Sequence, residues 1–201
     1  MKQVIRKRTF ETNSSSMHSI VISKQVGEYT EEEIKESFFG YYRYSERDGE
    51  SFNIQFLNDI HNEDLSFGRA PFDVLYTYCD KLRYYLASMR YTWTDDDYSE
   101  FIGKLKELHP FIGSITFSVN SMYPEYDSNK LDYGSVDHQS ACILRDFLLE
   151  KSLNVEEFLK SKSYVIIIDG DEYGVTRHLI DAKIVDLKEE PYEGGEFNYV
   201  V

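Results

Sequence analysis

Residues 163–170 read Ser-Tyr-Val-Ile-Ile-Ile-Asp-Gly. The run Val165 to Ile168 has no polar face to show to water, and it is too short for a free-standing helix. Its β-branched side chains favour extended backbone. An apolar run of this kind predicts a central strand, covered on both faces and paired on both edges. The rest of the chain has to supply those partners and those covering layers. Residues 2–10 (KQVIRKRTF), 17–24 (MHSIVISK), 114–119 (SITFSV) and 182–187 (AKIVDL) carry strand-like content. Phe197, Tyr199, Val200 and Val201 are candidates for an edge strand. Residues 2–24 are expected to form a hairpin through the Thr12–Ser16 turn.

The helical material lies mostly between these runs. Thr30-Glu31-Glu32-Glu33 has the form of a capping box and starts a short helix to about Phe38. The clearest helix is predicted from Pro71, because Phe72, Leu75, Cys79, Leu82, Leu86 and Met89 recur at three- and four-residue steps. Thr94 caps the next helix, with Tyr98, Phe101, Ile102, Leu105 and Leu108 on its inner face and Pro110 and Gly113 as stops. Two more helices are expected over about 139–151 and 155–160. Residues 40–53 read as a polar, Tyr-rich loop. The expected fold is α+β: one domain over 1–201, with a mixed or antiparallel sheet packed by about four helices. Within it the N-terminal hairpin takes 2–24, the helical middle 71–160 and the C-terminal strands 163–201.

Composition narrows the function classes. Of 201 residues, 36 are Asp or Glu and 22 Lys or Arg, giving a net charge of −14. Such a chain repels free nucleic acid at long range. The acidity is either plain solvation or a means of engaging a basic partner. The two cysteines, Cys79 and Cys142, fall in apolar helical patterns and are expected to be buried thiols in a reducing compartment. No CxxC pair suggests zinc, and no cofactor is expected. Met1 leads into Lys-Gln-Val-Ile-Arg without an apolar h-region, and no apolar run reaches membrane-spanning length. The expectation is a cytoplasmic protein with no membrane association.

Chemistry-bearing residues concentrate in residues 6–19, RKRTFETNSSSMHS. On a strand, Arg6 and Arg8 share one face and Lys7 the other. Asn13, Ser14, Ser15 and Ser16 offer an amide and hydroxyls, and the turn's backbone N–H groups suit an anion-binding nest. His18 follows two residues later. Guanidinium groups bind phosphate bidentately, and imidazole moves protons near neutral pH. A plain alternative stays open: a capped hairpin whose serines satisfy backbone groups. The second candidate is Asp137-His138-Gln139-Ser140 at a loop-to-helix junction, where His138 is either a second catalytic imidazole or part of an N-cap. Together the segments suit a metal-independent ribonuclease, with His18 and His138 as general base and acid and the arginines stabilising the phosphorane. Asp169-Gly170-Asp171-Glu172 is either a Mg²⁺ site or a turn of solvated acids. Tyrosines interleaved with Arg43 and Arg47 in residues 40–52 suit a protein interface better than base stacking in so acidic a chain. His61, His109 and His178 share no motif.

Phe10 to Ser19, FETNSSSMHS, preceded by basic residues, resembles a signature near the N-terminus of many small phage and mobile-element proteins. The Asp137-His138-Gln139-Ser140 element is similar to one in the same group. The group includes anti-CRISPR proteins acting on type II-A systems, one type of which truncates the single guide RNA. The resemblance implies Arg6, Arg8, Asn13, Ser14, Ser15, Ser16, His18 and His138 as functional positions. It implies an effector ribonucleoprotein and its guide RNA as partners, in the bacterial host cytoplasm. Two alternatives stand beside guide-RNA cleavage. One is a non-catalytic acidic inhibitor that binds the effector or its nucleic-acid groove. The other is a phage accessory protein acting on another RNA or nucleotide.

Overall fold

A computed structural model describes residues 17–41, 51–59, 62–67, 73–118, 131–137, 140 and 142–169. These residues fall into two compact units. One is drawn from 1–28, 69–76 and 137–201, the other from 29–68 and 77–136.

The first unit is built on the apolar run. Strand β9 (Tyr164–Asp169) is the middle of a three-stranded antiparallel sheet in the order β1-β9-β6, with β1 Met17–Ile22 and β6 Asp73–Leu75. Ile20 lies opposite Ile166, and Ile166 lies opposite Leu75. Val165 to Ile168 are all buried, so both faces of the strand are covered, as its composition requires. Helices α4 (Ile143–Lys151) and α5 (Val155–Lys160) belong to this unit. Phe147 of α4 meets the Tyr164 ring edge-on at 5.4 Å, and Phe158 of α5 stacks on it at 5.9 Å. Tyr164 shares its face with Ile166 and Ile168 by the two-residue period of a strand, so the helices lie over that face. Ser152 closes α4 in the left-handed conformation, at φ 53°.

The second unit is helix-rich. Helix α1 (Glu31–Ser37), α2 (Tyr78–Ser88) and α3 (Asp95–Leu108) each begin with a reciprocal Thr capping box, closed by Glu33, Asp80 and Asp97 respectively. Strand β2 (Phe52–Phe56) runs parallel to β7 (Ile112–Phe117). Two short ladders complete it: β3 (Asn58–Asp59) antiparallel to β4 (Asn62–Glu63), and β5 (Ser66–Phe67) parallel to β8 (Ser135–Val136). Gly134, at φ +75°, lets the chain enter β8 so close to Leu65 that an added Cβ would sit 2.0 Å from its carbonyl oxygen. Aromatic rings fill the core: Tyr98 and Tyr133 stack at 3.6 Å, and Phe117 meets Tyr133 edge-on at 4.8 Å.

The α+β class holds, with parallel and antiparallel pairings and five α-helices among the described residues. Several boundaries differ from expectation. The helix predicted from Pro71 starts at Tyr78, because Asp73–Leu75 pairs with β9 and Thr77 then caps the helix. Leu75 matches the helical period only by phase. Phe52 and Asn53 belong to strand β2 rather than to a loop. Gly113 lies inside β7, and the preceding helix ends at Leu108, with His109 out of the helical conformation before Pro110. Leu108 is exposed instead of facing inward. Cys79 is buried, but Cys142 is exposed at the residue before α4, where Leu144 and Phe147 form the buried face. The expected strands at 2–10 and 182–187 lie outside the described residues, as does the edge-strand candidate near the C-terminus.

Candidate functional site

Of the predicted site residues, Arg6, Arg8, Asn13, Ser14, Ser15, Ser16 and His138 lie outside the described residues, and His18 lies within them. His18 is the second residue of β1, opposite Ile168. It shares a strand face with Ile20, the face that α4 and α5 cover, and only 3 % of its surface is exposed. Its backbone N–H donates to the Ser140 hydroxyl across 3.3 Å. Ser140 is itself buried at 2 %. Its own N–H donates to the Asp137 carbonyl at 2.8 Å, and its carbonyl accepts from the Ile143 N–H at 3.0 Å. The end of the 6–19 stretch and the 137–140 element are thus joined by one buried hydrogen bond. Ser140 is the residue that joins them. The sequence offers it only as the last member of the quoted four, with nothing to mark its contact 122 residues away.

Asp169 ends β9, and the acids beyond it lie outside the described residues, as do Arg43 and Arg47. Among the described residues, no group of three or more His, Cys, Asp or Glu side chains is placed to hold a metal ion.

The second unit holds buried polar groups that no motif marks. His109 Nε2 lies 3.0 Å from the Tyr78 hydroxyl, and both residues are buried. The Tyr78 and Phe111 rings flank the imidazole at 5.2 and 5.7 Å. Lys81 is fully buried, its ammonium 5.0 Å from the centre of the Tyr29 ring. Burial lowers its pKa to about 7, against the smaller upward pull of Asp80. Arg83 donates to the Asp64 carbonyl and the Tyr41 hydroxyl, faces the Tyr41 ring at 4.8 Å, and pairs with Asp80 at 3.6 Å. Burial raises the Tyr41 hydroxyl well above its usual range despite this guanidinium. These contacts fix α2 within its unit.

No protein-family model, curated protein or solved structure matches the chain. Among the described residues, no helix is long and apolar enough to cross a membrane.

Proposed function

We propose that this chain inhibits a type II CRISPR effector in the bacterial cytoplasm by binding a basic surface of the ribonucleoprotein, without chemistry of its own. The observation that carries this reading is the burial of His18. A general base must come within hydrogen-bond reach of the proton that it takes. An imidazole only 3 % exposed, on a strand face covered by helix side chains, is poorly placed to reach an RNA 2′-hydroxyl. The net charge of −14 points the same way, since it repels a free RNA and attracts a basic protein surface.

Guide-RNA cleavage by His18 and His138, with Arg6 and Arg8 on the phosphate, is the second reading. The contact from His18 to Ser140 favours it, because it draws together two segments that such a site would need. One experiment separates the two. Guide-loaded effector is incubated with the chain, then assayed for target-DNA cleavage, and the guide is run on a denaturing gel. The expected result is lost DNA cleavage with an intact guide, and the same inhibition by His138→Ala. A shortened guide that His138→Ala leaves whole would establish the nuclease reading instead. Undiminished DNA cleavage would overturn both.

A further inference from the structure

The turn between α2 and α3 places Arg90, Tyr91 and Trp93 within four residues. Arg, Tyr and Trp are the types that dominate binding energy at protein interfaces. The turn is held from within. The Met89 carbonyl accepts from the N–H groups of Thr92 and Trp93, both at 2.9 Å, and from the Thr92 hydroxyl at 3.1 Å. Trp93 is half-buried, wedged against Tyr85, Tyr98 and Phe101 with ring centres 5.1 to 5.5 Å apart. Arg90 is tethered by a 2.7 Å hydrogen bond to the Gly134 carbonyl, and its guanidinium carbon lies 5.7 Å from the centre of the Tyr91 ring. Tyr91 is 70 % exposed. A tyrosine, with only two side-chain torsions, loses little entropy on binding.

The charge behind the turn says what fits it. Asp95, Asp96 and Asp97 follow after Thr94 and are exposed. Asp97 is occupied by the Thr94 cap, and Asp95 accepts from the Tyr133 hydroxyl at 2.9 Å. Against Arg90, the cation of the turn itself, the three carboxylates leave this patch net negative, which disfavours phosphate and favours ammonium or guanidinium groups.

We infer that the turn from Arg90 to Trp93, with Asp95 and Asp96 behind it, docks a protein surface that presents basic side chains around an apolar recess for Tyr91. The inference rests on the binding reading above and names the surface that would do the binding. The test measures affinity for immobilised guide-loaded effector with the wild-type chain, Tyr91→Ala and Asp96→Lys, and for guide RNA alone. Tyr91→Ala is expected to weaken binding about tenfold or more, the size of an interface hot spot. Its thermal midpoint should not move, because the side chain is mostly in water. Asp96→Lys, an independent change at an exposed site, should weaken binding several-fold and flatten its salt dependence. If the wild type binds and both variants bind within about twofold of it, the docking surface is wrong and the binding reading survives. If the wild type does not bind, the binding reading falls and takes this surface with it. Tight binding to guide RNA alone would overturn the choice of a protein partner.

Discussion

At the residue scale, Lys81 is where local sequence and packing disagree most. A lysine in Tyr-Cys-Asp-Lys-Leu reads as a solvated helix position, yet the fold leaves it no exposed surface. Burial brings its pKa from 10.5 to about 7. Between those values the unfolded chain holds a proton that the folded chain has released. Stability therefore rises with pH from about 7 toward 10, at up to about 1.4 kcal/mol per pH unit from this one group. Below pH 7 the folded state bears the full cost of burying the charge. Lys81→Met keeps most of the volume and removes the charge. Urea unfolding from pH 6 to 9 should show a variant that gains most over the wild type at pH 6 and loses that advantage as pH rises. Parallel curves would mean that the amine is not the titrating group.

Among the elements, helix α2 shows how a start is chosen. Its N-cap Thr77 accepts from the Asp80 N–H at 3.2 Å, and the Thr77 hydroxyl donates to the Asp80 carboxylate at 2.6 Å. Thr77→Ala removes both and should cost about 1 kcal/mol, within the usual range of about 0.5–2, read as a lower urea midpoint at unchanged slope. The four capping boxes of the described residues, at Thr30, Thr77, Thr94 and Asn154, are local chemistry, and a sequence can show them. Those at Thr30 and Thr94 are legible because the apolar period begins just behind them. The box at Thr77 is masked by Phe72 and Leu75, which extend the same period upstream. The pairing of Asp73–Leu75 with a strand some ninety residues later decides the matter, and no local pattern carries that information.

For the whole molecule, an excess of 14 negative charges makes salt dependence a test of the proposed binding to a basic surface. Affinity for the guide-loaded effector should fall about tenfold or more between roughly 0.05 and 0.3 M salt, because screening shortens the reach of the exposed carboxylates. A binding curve indifferent to salt would argue for an apolar interface instead. The central strand β9, the two clear helix starts and the acidity are legible in the chain alone. Each of these follows from residue chemistry at short range: an apolar run must be covered on both sides, a Thr three residues before an acid caps a helix, and charge adds up regardless of fold. The rest came from how the folded chain packs. Packing drew Ser140 to the His18 backbone, buried Lys81 against Tyr29, left Cys142 exposed and Leu108 in water, and turned Asp73–Leu75 into a strand. These outcomes depend on which distant segments meet, and whether a side chain is covered is a property of its neighbours in space rather than of its neighbours in the chain.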